Sequence, residues 1–589
     1  MLFKKDDYQL SKLLLDIEQG EIGLPDIQRP FVWDATKVRD LFDSMYRGFP
    51  VGYLLFWANF QFTKRHKEGS LGKQDNAPRL LIVDGQQRLT SLYAVMTRKP
   101  VITKDFKERY ITLAFSPLDG RFEVADAATD RNPEFIPDIS QLWSPDAGLL
   151  ATISEYLNRL QKAREVTLAP EEKKSIEDSI TGLLNLQYYP FTAMEVASTV
   201  DEEQVAEIFV RINSKGVILN QADFILTLLS VYWDEGRKEL EAFCANCRQP
   251  PLPGRPSPFN YFIQPHPSQM LRSSVGFGFK RATLKHVYSL LRGKDLETGQ
   301  FSDERREEQF QVLKSAQQKT LDLINWQEFI VTLQQAGFTG SNMITSDLAL
   351  LYAYTMFLIG KYGFGIEHFA LRNLIARWFF LTALTSRYSA SPESQMESDL
   401  ARLRQLNTGA QFTEALEQQM RATLTEDFWN ITLVNDLNTS SARSPVLFAY
   451  VAALNLLDAK VLFSQSRVSQ MINPALISKK SALERHHLFP KAYLSKIGYN
   501  TTYQTNQIAN YALVEWQDNI PIADQPPSDY FPHYAQRFSA DELSQMMEWH
   551  ALPAGWEHME YEDFLAKRRE LIAGIIRQGF EQLTSQSHF

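Results

Sequence analysis

The sequence predicts an α+β protein that is predominantly helical, on three observations. Apolar residues recur at helical spacing with few breakers over 202–210, 221–233, 281–291, 346–358, 367–385 and 445–457. Strand-like runs are concentrated before residue 200. A polar tail carrying adjacent histidines follows the long helical stretch. Together these divide the chain into an α+β head (1–230), a helical middle (231–430) and a small tail with a terminal helix (431–589).

Taken in order, the first helix carries Leu10, Leu13, Leu14 and Ile17 on one face, and the second, capped by Asp34, turns Val38, Leu41, Phe42 and Met45 inward. Arg79-Leu80-Leu81-Ile82-Val83 reads as a buried strand, Asp84-Gly85 as a tight turn, and Gln86 onward as a helix with Leu89, Leu92, Tyr93 and Met96 on one side. A hairpin is predicted at 110–115 and 121–124 around Asp119-Gly120. The stretch 249–258 holds five prolines and reads as an ordered loop or a flap.

Composition narrows the function. With 44% hydrophobic and 22% charged residues the chain is globular and well cored. The longest apolar run, 348–359, is too short to cross a bilayer, and the N-terminus lacks the apolar core of a secretion signal. A cytoplasmic protein without a membrane partner is expected. Its only cysteines, Cys244 and Cys247, read as a reduced structural pair. The net charge of −9 argues against indiscriminate coating of nucleic acid, yet allows a local basic groove. No Gly-x-x-x-x-Gly-Lys-[Ser/Thr] run exists, so a P-loop motor is not expected.

Two constellations carry chemistry. At 84–88 a strand-to-helix junction offers backbone N–H groups and the positive end of a helix dipole to a phosphate. Arg88 is placed to add a forked donor, Asp84 to hold a metal or position water, and Gly85 to permit close approach; the alternative is a junction that simply packs. In the tail, Glu484-Arg485-His486-His487-Leu488-Phe489-Pro490 is followed by Asn510 and Asn519. A phosphodiester needs a base to deprotonate water and a cation to stabilise the developing charge, and two imidazoles can divide those jobs. His487 is the candidate base, oriented by Asn510 through its other ring nitrogen or through the surrounding backbone. His486 and Asn519 are candidate ligands for Mg²⁺, Mn²⁺ or another transition metal. Pro521 disturbs any helix starting at Asn519, so Asp518 or Asp524 is an alternative ligand. Lys479, Lys480, Arg485, Lys491 and Lys496 surround the pair as candidate DNA contacts. Lys567, Arg568 and Arg569 read equally as DNA contacts or solvated helix face.

These motifs also carry a resemblance. His-His-Leu-Phe-Pro-Lys-Ala-Tyr-Leu (486–494), the run from Asn506 to Val514, and the run from Asn519 to Tyr530 resemble the C-terminal HNH (ββα-metal) domain of GmrSD-like proteins, with Asn in place of the last His. Pro25-Asp26-Ile27-Gln28-Arg29-Pro30-Phe31-Val32-Trp33, Asp84-Gly85-Gln86-Gln87-Arg88 and Phe209-Val210-Arg211-Ile212-Asn213-Ser214-Lys215-Gly216, in this order, resemble their N-terminal ParB/sulfiredoxin-like domain. The resemblance implies a nucleoside triphosphate site at Gln28, Arg29, Asp84, Gly85, Gln86, Gln87, Arg88, Arg211 and Asn213. It further implies a nucleotide-regulated, metal-dependent endonuclease of type IV restriction that cleaves modified phage DNA, with a homodimer left open. The competing expectations are a non-cleaving nucleotide-binding DNA sensor and an RNA-cleaving toxin.

Overall fold

The computed structural model describes residues 2–23, 31–58, 78–103, 105–144, 148–200, 204–205, 208, 221–295, 298–475, 483–516, 518 and 522–585. The chain forms two compact units, Met1–Arg237 and Lys238–Phe589. It is α+β and predominantly helical, as its periodicity predicts.

The strands are β1 (Phe3–Gln9), β2 (Ile22–Gly23), β3 (Leu54–Ala58), β4 (Leu80–Asp84), β5 (Val101–Ile102), β6 (Glu108–Arg109), β7 (Leu113–Ser116), β8 (Arg121–Val124), β9 (Pro190–Val196), β10 (Leu483–His487) and β11 (Tyr511–Glu515). In the first unit a mixed sheet runs in the order β1-β9-β3-β4-β2. β1 is antiparallel to β9, β9 parallel to β3, β3 antiparallel to β4, and β4 parallel to β2. Strand periodicity turns Leu80 and Ile82 of β4 into the core, with Phe56 of β3 and Phe191 of β9. The helices α1 (Leu10–Glu18), α2 (Ala35–Tyr46) and α3 (Gln86–Thr97) supply the other half of this core through Leu10, Leu13, Phe42, Met45, Leu89 and Leu92. Asp34 caps α2 as expected, accepting from the Lys37 N–H at 2.8 Å. The hairpin forms from β7 and β8, with Gly120 at φ +68° in its turn.

In the second unit the helix Asp347–Leu358 is buried from Ala349 to Leu358, which explains an apolar run that is hydrophobic on all sides. Helices Pro267–Phe279, Asp303–Thr320, Leu323–Gln335 and His368–Leu384 belong to the same unit. Among the described residues no helix is long and apolar enough to cross a membrane.

The boundary expected near residue 430 falls inside the second unit. The terminal helix, Tyr561–Ser585, returns to the middle of the chain: Phe580 packs on Phe380 and Trp429, and Arg577 pairs with Glu426 at 2.7 Å. Contacts formed across so many residues are invisible to a reading of local composition. The loop 249–258 is held by the helix Leu323–Gln335: Trp326 Nε1 donates to the Pro258 carbonyl at 2.9 Å and Gln327 Nε2 to that of Ser257 at 2.8 Å. Cys244 and Cys247 are buried free thiols, and burial pushes both upward, Cys247 to about 12. At neutral pH neither is a thiolate, so they serve as packing.

Candidate functional site

Strands β10 and β11 pair antiparallel, with His486 opposite Ala512 and His487 opposite Tyr511. Beyond β11 the next described helix is Pro527–Ala535. The chain between the two strands passes through two short helices, Lys491–Lys496 and Thr502–Thr505. Asn506, just after that insertion, reaches the His487 ring.

His487 is half-buried at the last position of β10. Its Nε2 lies 3.0 Å from Asn506 Oδ1, and its ring packs against Tyr511 at a centroid distance of 4.7 Å. With the carboxamide oxygen accepting, Nε2 carries the proton and Nδ1 keeps the lone pair. Burial chiefly holds the pKa of this imidazole below its ordinary value; the Lys491 charge acts in the same direction and the Asn506 bond opposes both. A ring that is neutral at pH 7 is what proton abstraction requires.

Asn510 acts on the backbone and not on the ring. It is fully buried: Oδ1 accepts from the Phe489 N–H at 2.8 Å, and Nδ2 donates to the carbonyls of Phe489 and Thr505, each at 3.0 Å. The Asn510 carbonyl also receives the Leu488 N–H at 2.8 Å. These bonds lock the chain directly after His487. Of the two routes open in the sequence, the structure takes the one through the backbone, and the ring contact falls to Asn506.

His486 and His487 do not share a face. Successive strand residues point to opposite sides of the sheet, and the surroundings differ accordingly. His486 is 4% exposed, with its ring edge-on to Tyr530 at 5.8 Å. Tyr530 OH in turn donates to the Leu488 carbonyl at 2.6 Å. The expectation of two imidazoles converging from neighbouring positions is corrected to one ring on each side of the hairpin.

The remaining expected residues are distributed as follows. Asp518 is taken up by Arg537, at 2.7 Å, and its carbonyl by Tyr534 OH, at 2.8 Å, which removes it as a free carboxylate ligand. Asp524 pairs with Lys496 at 2.6 Å on the surface, so neither is an uncommitted charge. Lys491 and Arg485 are exposed, the latter donating to the Ala442 carbonyl at 3.0 Å. Asn519, Lys479 and Lys480 lie outside the described residues.

One support was missed by the sequence reading. Arg568, treated there as DNA contact or solvated face, is fully buried. Its Nη1 donates to the Ala509 carbonyl at 2.7 Å, and Nη2 and Nε to that of His550 at 3.0 and 3.2 Å. Residue 568 falls on the stripe of Phe564, Leu565, Ile572 and Ile576, so helical periodicity alone could have placed it inside. His550 is itself fully buried with Nε2 on the Lys460 carbonyl at 2.9 Å, and burial lowers its pKa to about 4. A depressed histidine pKa favours the neutral folded form. Its stabilisation is complete above the ordinary value of 6.5 and lost as pH falls through about 4. A loss of about 3 kcal/mol across that window is expected by linkage, and His550→Gln should flatten the acid limb of a stability-against-pH curve. An unchanged limb would remove this assignment.

In the first unit, Asp84 ends β4, Gly85 adopts φ +95°, and α3 starts at Gln86 with no side-chain cap from Gly85. A Cβ at Gly85 would meet Leu54 Cδ2 at 2.4 Å, and one at Gly52, at φ +90°, would meet Arg88 Nη1 at 2.6 Å. Only glycine fits either position. Arg88 was expected to fork onto phosphate; its guanidinium instead binds protein. Nη1 donates to the Val51 carbonyl at 2.6 Å, and Nη2 to that of Tyr53 at 2.7 Å and to Asp84 at 3.0 Å. Arg88 therefore shapes the loop beside the helix start. Gln87 Oε1 accepts from the Val32 N–H at 3.0 Å, tying the chain before α2 to the same junction. Gln28, Arg29, Arg211 and Asn213 lie outside the described residues. Arg88→Ala should destabilise the protein by about 2–4 kcal/mol, because two carbonyls and a carboxylate lose a largely buried partner. A denaturation midpoint equal to that of the wild type would contradict the bracing role.

The residues that form this junction and sheet fall within a stretch that matches a known family. Residues 10–230 match the family described as GmrSD restriction endonuclease, N-terminal domain. The match covers the junction and the sheet strands from β2 to β9; the tail lies beyond it. An uncharacterized protein of Methanocaldococcus jannaschii is 22% identical over 556 residues, spanning 90% of this chain and 87% of the relative. Its similarity therefore extends into both units.

Proposed function

We propose that this protein is a metal-dependent DNA endonuclease of the restriction type, acting on modified foreign DNA under control of a nucleoside triphosphate bound at the 84–88 junction. The observation that carries this reading is His487: a half-buried imidazole held neutral, with Nε2 engaged by Asn506 and Nδ1 left as the base. The likeness of residues 10–230 to a restriction-endonuclease domain supports DNA as the substrate.

His487 Nδ1 takes the proton from the attacking water, while Asn510 and Arg568 keep the backbone around it in place. Among the described residues no three His, Cys, Asp or Glu side chains gather as a metal site, and His486 is buried on the far side of the hairpin from His487. A cation serving the same phosphate would sit on the His487 side, and the carboxamide oxygen of Asn519 is a donor type that suits Mn²⁺ or Mg²⁺. When bound, the cation offsets charge developing on the phosphate and leaving oxygen. Lys491 and Arg485 draw in the DNA backbone. At the head, first-turn N–H groups of α3 face the nucleotide phosphates, with Arg88 positioning the loop around them.

The test is cleavage of phage DNAs with defined modifications, and of unmodified DNA and RNA, with Mg²⁺ or Mn²⁺ and each nucleotide in turn. Cutting of modified DNA whose rate responds to nucleotide supports the reading; no cleavage of any DNA under these conditions would overturn it.

Asn506 gives a sharper expectation. Asn506→Ala should cut kcat by about 10–100-fold, less than the roughly 10²–10⁴-fold that the positioned base itself contributes, with little change in KM. Lys491→Met should raise the His487 pKa by removing a neighbouring charge, moving the acid limb of the kcat profile to higher pH. Identical pH profiles in wild type and Lys491→Met would reject His487 as the titrating base.

A further inference from the structure

The proline-rich loop meets an unassigned groove within the second unit, independently of the nuclease reading. This is an open groove of about 610 Å³ lined by Pro256, Leu323, Ile324 and Val331, together with His368 and Arg372. That volume falls within the range of small-molecule sites, roughly 300–1,000 Å³. Its loop side is held in place by the Trp326 and Gln327 bonds to the Pro258 and Ser257 carbonyls.

The charges in the lining are unequal. Glu328, which also lines the groove, is offset by Lys361 at 2.6 Å and faces His368 Nδ1 at 3.8 Å. Arg372 makes no ion pair with a carboxylate among the described residues, and its Nε is shielded from solvent with no acceptor there. A guanidinium keeps its charge at any accessible pH. Beside an apolar wall, such a charge is best offset by an anion.

We infer that this groove binds a small organic anion with an apolar body, the anion on Arg372 and the body against Leu323, Ile324 and Val331. A nucleoside monophosphate and an aromatic carboxylate both have this chemistry. The full-length protein is titrated calorimetrically with dAMP and, separately, with benzoate. Binding by either probe, weakened at least about tenfold in both Arg372→Met and Val331→Arg, is the expected result, with circular dichroism confirming that the variants fold. Binding of dAMP alone makes the ligand a phosphate, and of benzoate alone a carboxylate. No binding of either probe up to about 1 mM, or wild-type affinity in both variants, overturns the proposal.

Discussion

His487→Ala should lower the single-turnover rate of DNA cleavage by about 10²–10⁴-fold, the span that a positioned general base contributes, while leaving the fold intact. The ring is half-buried at a strand end, and its removal leaves the Asn510 bonds to Phe489 and Thr505 in place. Because His486 is buried on the other side of the hairpin, His486→Ala should leave Mn²⁺ affinity unchanged. Loss of activity below about tenfold would sink the base assignment. A fall in Mn²⁺ affinity in His486→Ala would show that both rings reach one site.

The largest effect on stability is expected at Arg568. Arg568→Met keeps most of the side-chain volume but strips the Ala509 and His550 carbonyls of three donated bonds inside the protein. Removing one partner from a buried charged network costs about 3–5 kcal/mol. Since Ala509 precedes Asn510, the damage should appear in hydrogen exchange at 505–515 and in cleavage together. Arg568→Lys should recover only part of both, because a single ammonium cannot reproduce a fork that reaches two carbonyls. Unchanged exchange protection in Arg568→Met would show that the terminal helix does not brace the site.

Much of this was legible along the chain. The stripes of α1 and α2, the Asp34 cap, β4 with its Asp84-Gly85 turn and the β7–β8 hairpin rest on spacing within a dozen residues, and the structure reproduces them. The helix Asp303–Thr320 was not singled out, since its buried Phe310, Leu313 and Ala316 are diluted by charged and Gln residues. The role of Arg88 was misjudged for a different reason. An arginine one turn into a helix suits either a phosphate or a loop, and the choice depends on the Val51 and Tyr53 carbonyls, some 35 residues earlier.

By itself, then, the sequence determined the helical α+β character, the head junction, and the residue types from which a candidate acid–base site is built. Those depend on residue type and local period. Tertiary structure alone decided which partner each one meets: Asn506 rather than Asn510 on the His487 ring, opposite faces for the two imidazoles, and a terminal-helix arginine beneath the site. The physical reason is that a hydrogen bond is specified by position to within a fraction of an ångström, and only packing between segments distant in sequence brings a donor and its acceptor that close.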